Sequence, residues 1–236
     1  MRRLLPLQVA ALLFVSCLGC AVNPQQKEAA QVVQVHVAKV EPLTTQANRM
    51  YWEATTTGKP EKFQELERLQ VQAKQVFANL DDFNRIKTLR EPGQVRNARL
   101  ARQIERLYLN YLQNRIESGL MERIVAIDTK VQGTYNNYRG TVDGRKITVS
   151  DVYTIMTTET DVAKREAAWQ ASRQVGNVII EDFLTLVRLR NQAARQAGFD
   201  NYHTMMIVTG EQDVDDIDRI FDELDRLTRE PFTRLK

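Results

Sequence analysis

Helical periodicity over residues 164–203 is the feature that most constrains how this chain can fold. Apolar residues recur there at the spacing of one helix face, namely Val175, Ile179, Phe183, Leu186, Val187, Ala193, Ala194 and Ala197. Glu181 and Asp182 are expected to lie in the first turn of a helix, because carboxylates interact favourably with the positive end of the helix dipole. Gly198 can adopt the left-handed conformation that ends a helix. The stretch therefore predicts two helices, and the second is amphipathic with defined ends.

Similar periodicity elsewhere predicts that most of the chain is helical. A helix is expected across residues 28–56, with Pro42 causing either a kink or a break because proline removes a backbone donor. Further helices are expected to begin at Pro60 and Pro92, since proline suits the first helical turn. Only 10 glycines and 6 prolines occur in 236 residues, which favours long helices with few tight turns. The predicted fold class is all-α.

One short segment is the exception to this helical pattern. Asp143 and Gly144 suit a primed turn between two β-capable runs, so a lone β-hairpin is expected near residues 141–149. The hairpin is expected to lie on a helical body.

Polar residues after the hairpin predict where the next helices begin. Ser150 or Asp151 is expected to cap one helix, and Thr160 or Asp161 the next, because short polar side chains accept hydrogen bonds from free backbone donors. The second of these helices carries Trp169. We expect Trp169 to be a core anchor rather than a ligand-stacking residue.

A final helix is expected from about Asp213. Its apolar side is formed by Val214, Ile217, Ile220, Phe221, Leu224 and Leu227. Acidic residues come early and basic residues late, which complements the helix dipole and favours a stable surface helix over an acidic metal site. The acidic residues do not form a calcium loop, which needs a glycine at its sixth position and a glutamate at its twelfth. Pro231 lies inside this helix and no cap follows, so the sequence is expected to be part of a longer protein.

The N-terminus has the pattern of a bacterial secretory signal. A positively charged start precedes an apolar run over residues 4–15, and small residues follow. The sequence LGCA at 18–21 is similar to a lipobox, in which a signal peptidase cuts before a cysteine that becomes lipid-modified. Cys20 is the expected lipidation site and Cys17 the alternative; ordinary signal cleavage with two incidental cysteines remains the other interpretation.

The domain organisation follows from this leader. Residues 1–20 are expected to be a lipoprotein-type signal peptide, 21–26 a short tether and 27–236 the helical region. The expected location is the bacterial cell envelope, with the protein lipid-anchored or secreted. No cysteine follows position 20, so disulfides cannot stabilise the mature domain.

The charge distribution does not indicate a polyanionic partner. The formal net charge is only +3. Arginines cluster on the helix predicted after Pro92, at Arg96, Arg99, Arg102 and Arg106, while its tyrosines belong to the apolar side. We interpret the arginines as a solvated helix face, and no nucleic-acid partner is expected.

Several motifs resemble one enzyme family. The segments AAWQASRQVG, LVRLRNQAARQAGF, NYH and FDELDRLTREPF are similar to the matching region of peptidyl-dipeptidase A, the angiotensin-converting-enzyme family of zinc metallopeptidases, and especially to its bacterial members. The resemblance extends from about Gln46 to Lys236 and covers the N-terminal part of those enzymes. It implies a two-lobed helical ellipsoid around a deep cleft, zinc as the cofactor of the full-length enzyme, and release of dipeptides from the C-termini of short peptides.

The catalytic motif of that family, His-Glu-x-x-His, does not occur in this sequence. The chain has two histidines, His36 and His203, and neither is followed by the Glu-x-x-His that places two imidazoles on one helix face. We therefore assign no catalytic or metal-binding residue here and predict that the chain alone binds no zinc and is inactive. Animal members carry a Trp-Arg pair whose arginine joins a chloride site, whereas this chain has Met205-Met206-Ile207 nearby, which argues against chloride activation.

Two functional hypotheses follow. The first is the N-terminal part of a lipid-anchored zinc dipeptidyl carboxypeptidase. The alternative is a non-catalytic helical envelope lipoprotein that binds peptides or protein partners.

Overall fold

The computed structural model describes residues 23–235 and confirms the all-α fold class. Helices pack side by side, and a two-stranded hairpin follows the fifth of them. The elements are α1 (Pro24–Thr57), α2 (Pro60–Gln75), a 3-10 turn (Val76–Ala78), α3 (Leu80–Arg90), α4 (Ala98–Asn114), α5 (Ser118–Asn137), β1 (Gly140–Val142), β2 (Arg145–Ile147), α6 (Val149–Thr158), α7 (Val162–Arg173), α8 (Val175–Gln196), α9 (Tyr202–Thr209) and α10 (Val214–Leu235). None of the described helices is both long enough and apolar enough to cross a membrane.

Helix α1 is continuous through Pro42, so of the two predicted alternatives, a kink or a break, the break is wrong. Pro42 lies on the exposed side, while buried residues on both sides of it, His36 and Ala47, hold the two halves of the helix against the body. This packing offsets the roughly 3 kcal/mol that proline costs inside a helix. The helix begins at Pro24, so residues 24–26 of the predicted tether are helical, and residues 21 and 22 lie outside the described part of the chain.

Helix α4 begins later than predicted. Pro92 does not open it; Glu91 accepts a hydrogen bond from the Gln94 amide in a turn, and Gly93 has φ +84°. A left-handed residue directly after proline is typical of a type II turn and cannot continue into a helix. The helix is capped instead by Asn97, whose Oδ1 accepts a hydrogen bond from the Leu100 amide at 2.9 Å.

The hairpin is confirmed. Strand β1 pairs antiparallel with β2, and Asp143 and Gly144 between them have φ +50° and +77°. Two positive φ values match the predicted primed turn.

Of the two helix caps predicted after the hairpin, one is wrong and one is confirmed. Helix α6 is capped by Thr148 rather than by Ser150 or Asp151, and Asp151 completes a capping box by accepting from the Thr148 amide. A capping box satisfies two backbone donors at once, which explains why it displaces the simpler caps. Asp161 caps α7, as predicted.

Two predictions for α7 and α8 are wrong. Trp169 is 47 % exposed, with the Arg173 guanidinium 5.6 Å from its ring centroid, so it is not a core anchor. Helix α8 begins at Val175, which places Glu181 and Asp182 beyond its first turn; Asp182 instead pairs with Lys130 of α5 at 2.8 Å. Gly198 does adopt the predicted left-handed conformation, with φ +92°.

The core consists of separate clusters, and α1 takes part in two of them. One cluster joins the first half of α1 to α3 and α4, and includes Ile104 and Tyr111. A second joins the other half of α1 to α2 and includes Ala54 and Leu66. Two further clusters join α8 to α5 and to α9. These contacts bring the ends of α2, α4, α5 and α8 together around one cavity.

Candidate functional site

A cavity of about 520 Å³ lies among α1, α2, α4, α5, α8 and α9. Its size is that of a small-molecule site, since ligand pockets usually measure about 300–1,000 Å³. We call it the Lys74 cavity. Its polar lining residues are Thr44, Asn48, Tyr51, Gln70, Lys74, Gln113, Asn114, Asp128, Arg190 and Tyr202.

Lys74 enters the cavity from the last turn of α2. Its Nζ donates a hydrogen bond to Asn114 Oδ1 at 3.1 Å. Asn114 Nδ2 in turn donates to the Asn110 carbonyl at 2.9 Å, which directs the amide oxygen toward the ammonium. Burial lowers the pKa of Lys74, the carboxylate of Asp128 acts in the opposite direction, and the charge of Arg190 lowers it further. Lys74 is therefore a cation in an environment that disfavours its charge.

Arg190 and Asp128 form the second charged feature of the cavity. Their side chains join α8 to α5 with an Arg190 Nη2 to Asp128 Oδ1 distance of 3.1 Å. The Arg190 guanidinium also lies 5.2 Å from the centroid of the Tyr202 ring, an arrangement that favours a cation over an aromatic face. Asn191 Oδ1 accepts a hydrogen bond from the Tyr202 amide at 2.9 Å, which fixes the start of α9.

The lining of the cavity carries a small net positive charge. Two cations and one carboxylate line the cavity, so its charged groups sum to one positive charge. No histidine, cysteine or serine lines it among the described residues, and its carboxylate is already paired. The cavity therefore offers positive charge and amide hydrogen bonds to a ligand.

Sequence reasoning did not identify Lys74, Asp128 or Arg190. A signal was present for two of them, because each lies three positions from a buried apolar residue on its own helix: Ala193 follows Arg190, and Val125 precedes Asp128. Gln70 and Lys74 likewise continue the buried stripe of Leu66 by one and two turns. Polar residues that interrupt an apolar stripe mark a site where a helix face meets a polar cavity.

The two histidines differ in burial. His203 is exposed on α9. His36 is buried, and its Nδ1 lies 3.3 Å from the hydroxyl of Tyr111. The rings of Phe77 and Tyr111 contact it with centroid distances of 5.1 and 5.4 Å. His36 is therefore part of the core between α1 and α4.

The burial of His36 predicts a pH-dependent stability. Desolvation lowers the pKa of His36 below its ordinary value, with Asp82 opposing and Lys39 adding to the shift. Because the unfolded chain binds the proton on His36 more readily, the contribution of His36 to the free energy of unfolding is constant above about pH 6.5 and decreases as the pH falls below it. It levels off once the folded-state pKa of His36 is passed.

Urea unfolding between pH 8 and pH 5 measures this effect. His36→Gln is expected to remove part of the decrease, whereas His203→Gln, which changes an exposed histidine, retains it. Equal pH profiles for wild type and His36→Gln would contradict the assignment.

The described residues do not fit a catalytic zinc. No group of three or more histidine, cysteine, aspartate or glutamate side chains within residues 23–235 could hold a metal ion. The ring of His36 packs against two aromatic rings, and His203 belongs to no group of metal-ligating side chains among the described residues. A catalytic zinc, in contrast, takes three protein ligands. The predicted lipidation sites, Cys20 and Cys17, lie outside the described residues.

Two helix faces present apolar side chains to solvent. The first half of α8 exposes Val178, Ile180, Phe183, Leu184 and Val187. No residue of α10 is buried, and its exposed apolar residues include Ile220, Phe221, Leu224 and Leu227. Glu211 lies just before the N-terminus of α10, and its carboxylate pairs with Arg102 and Arg106 of α4. The amphipathic pattern of α10 was predicted, but its apolar side is uncovered within the described chain.

Fold and site together define a helical protein with a polar cavity and two apolar faces that are uncovered within the described residues. The family model for angiotensin-converting enzyme, peptidase family M2, matches residues 23–232. Because the match covers most of the chain, the protein belongs to this family. The comparison with curated proteins gave no match.

Proposed function

We propose that this chain forms the N-terminal part of a zinc metallopeptidase that releases dipeptides from the C-termini of short peptides. The family match over residues 23–232 is the observation that carries the proposal. In the family, the His-Glu-x-x-His motif lies further along the sequence than the region that this chain resembles. We propose that the zinc ligands and the catalytic glutamate come from that later region.

The uncovered faces of α8 and α10 support this proposal. Contiguous exposed apolar residues usually mark a surface that another part of a protein covers. Phe183 is 44 % exposed on α8, and Phe221 is 64 % exposed on α10. Both faces are suited to packing against the rest of a larger helical domain, which would bury them from water.

Activity assays of two gene products test the proposal. One product ends at Lys236, and the other extends through the His-Glu-x-x-His region. We expect the extended product to release a C-terminal dipeptide from a blocked tetrapeptide, detected by mass spectrometry, and 1,10-phenanthroline to abolish the release. Exchange of the motif's glutamate for glutamine is the matched inactive control. Dipeptide release by the shorter product, or none by the extended one, contradicts the proposal.

We also propose that the protein is anchored in the bacterial cell envelope through lipid on Cys20. Several acyl chains on one cysteine give stable membrane attachment, because each buried methylene contributes about 0.8 kcal/mol. Cys20→Ser is expected to abolish incorporation of labelled palmitate in a bacterial host, and Cys17→Ser to leave it unchanged. If labelling is lost only in Cys17→Ser, the lipid is on the alternative site. If neither the wild type nor the variants are labelled, the proposed anchor is contradicted.

The second candidate function is a non-catalytic envelope lipoprotein that binds peptides or protein partners. The Lys74 cavity is the observation that favours it, since its lining offers hydrogen bonds and positive charge to a ligand. An extended gene product that contains the catalytic motif excludes this alternative.

A further inference from the structure

We propose that one end of the helical body is a docking surface for a bilayer of anionic phospholipids. The start of α1, the end of α3 and the start of α4 form this surface, which we call the basic end. Its basic residues are Lys27, Lys87, Arg96 and Arg99. The choice of a membrane as partner rests on the proposed lipid anchor, but the surface itself requires neither lipid on Cys20 nor peptidase activity.

Ion pairs show that α3 runs back along α1. Lys39 of α1 lies 3.7 Å from Asp82 in the first turn of α3. Arg85, one turn further along α3, pairs at 2.5 Å with Glu28 near the start of α1. As α3 advances, its partners on α1 therefore approach the N-terminus of that helix. The end of α3, which carries Lys87, consequently lies beside the start of α1.

The start of α4 lies at the same end of the body. Arg90, the last residue of α3, pairs at 2.5 Å with Glu105 in the first half of α4. Arg115, which follows the last residue of α4, lies 4.7 Å from the centroid of the Phe83 ring early in α3. Helix α4 is therefore antiparallel to α3 and begins where α3 ends. The first half of α1 packs in the same core cluster, through Ala29.

The basic end carries an excess of unpaired positive charge. Its four basic residues are exposed and form no ion pair among the described residues. Arg85, Arg90 and Arg102 nearby are each paired with a glutamate. Glu91 supplies the unpaired carboxylate of the loop between α3 and α4. The net charge of the whole chain is only +3, so composition alone does not reveal this local excess.

The placement of these charges is unfavourable for the helices themselves. Lys27 is the fourth residue of α1 and Arg99 the second residue of α4, and neither helix has an acidic residue in its first turn. Cations there oppose the positive end of the helix dipole, whereas anions are stabilising. A layer of lipid phosphates beside both N-termini would interact favourably with the cations and with the dipoles. Helix stability therefore does not explain these residues, and an anionic surface does.

The proposed anchor would hold the basic end close to a bilayer. Cys20 precedes the first residue of α1, Pro24, by four positions. Four residues span at most about 14 Å even when they are fully extended. At such a distance each basic residue that reaches an anionic bilayer strengthens the attachment about fivefold. The basic end would thus act as a second membrane signal beside the lipid.

Vesicle co-sedimentation tests the surface separately from the anchor. The protein is the mature chain expected after cleavage, residues 20–236, with Cys20→Ser so that it carries no lipid. Vesicles consist of phosphatidylcholine alone or of an equal mixture with phosphatidylglycerol. We expect binding to the anionic vesicles to be about tenfold or more stronger at low salt, and high salt to remove most of this difference. Equal binding to both vesicles, as exposed apolar faces would produce, overturns the proposal.

Two matched pairs of substitutions locate the surface. Arg96→Gln with Arg99→Gln is expected to weaken binding to the anionic vesicles about tenfold or more. Arg145→Gln with Lys146→Gln removes two exposed cations from β2, outside the basic end, and is expected to leave binding unchanged. Equal weakening by the two pairs would mean that binding follows the total charge of the chain, and would overturn the proposal.

A third pair tests the contribution of α1 and α3. Lys27→Gln with Lys87→Gln is expected to weaken binding to the same extent as the pair on α4, because both pairs remove two unpaired cations. Unchanged binding would overturn the assignment of α1 and α3 to the surface. Since all of these side chains are exposed, we expect the variants to remain folded, which urea denaturation verifies.

Two other anions identify the partner. Inorganic phosphate is expected to leave vesicle binding unchanged when it replaces chloride at one ionic strength, because separated cations recognise a charged surface rather than one small ion. Displacement by phosphate would assign the cations to a small-anion site and overturn the proposal. Binding of a short DNA duplex without binding of the anionic vesicles would assign the surface to nucleic acid and also overturn it.

Discussion

Replacing Tyr111 with alanine is expected to lower the free energy of unfolding by about 3–5 kcal/mol, the range for removing a large aromatic side chain from a core. Tyr111 is 1 % exposed and lies where α1, α4 and the 3-10 turn meet. Its ring contacts Phe77 at 5.2 Å between centroids, and its hydroxyl is the hydrogen-bonding partner of His36. The substitution therefore creates a cavity and also leaves a buried imidazole without its partner.

Tyr135→Ala is the matched control for this experiment. Tyr135 is also a helical tyrosine, but it is 60 % exposed on α5. We expect its removal to change stability by less than about 1 kcal/mol, as is usual for surface substitutions. Chemical denaturation of both variants above pH 7 measures the difference and keeps the titration of His36 out of the comparison. Similar losses in the two variants would show that α1 and α4 do not pack as described.

The second large effect is expected from Leu66→Ala. Leu66 is 1 % exposed on α2 and belongs to the cluster that holds the second half of α1, with Ala47 and Ala54 as neighbours. Removing it deletes buried methyl groups and leaves a void that the small alanines opposite cannot fill. The expected loss of unfolding free energy is about 2–5 kcal/mol.

Leu227→Ala supplies the control for Leu66. Leu227 is 55 % exposed on α10, so the same chemical change there removes little buried surface from the described chain. Thermal or urea unfolding distinguishes the two variants. A loss at Leu227 equal to the loss at Leu66 would indicate that α10 is packed in solution, contrary to this structure.

Helix content could be predicted from sequence because apolar spacing is a local signal. The stripe of Leu186, Ala193 and Ala194 is buried as expected. Local spacing does not say which neighbouring helix covers a stripe. Phe183 and Val187 belong to the same predicted apolar stripe as Leu186, but they are 44 % and 38 % exposed within the described chain.

The different outcomes at two prolines have a tertiary cause. Pro42 and Pro92 both lack a backbone N–H donor, so the sequence alone does not distinguish them. In the structure Pro42 lies inside a helix and Pro92 lies in a turn. Burial of His36 and Ala47 on either side holds α1 continuous through Pro42. Pro92 is followed by Gly93, which adopts a turn conformation, and Asn97 provides a better cap five residues later.

Single polar residues of the cavity could be noticed on their helices, but their assembly into one site could not be predicted, because its groups come from six helices. Lys74, Asp128 and Arg190 are separated by more than 50 residues in sequence and meet only through packing of α2, α5 and α8. The family, in contrast, could be recognised from short segments such as LVRLRNQAARQAGF, since such segments retain their order whatever the tertiary contacts are.

Translation of the DNA that follows the codon for Lys236, in all three frames, tests the central claim most directly. We predict an in-frame His-Glu-x-x-His motif followed by a further glutamate ligand, which would place this chain in a zinc peptidyl-dipeptidase. A stop codon followed by unrelated sequence would contradict that account and favour the envelope binding protein.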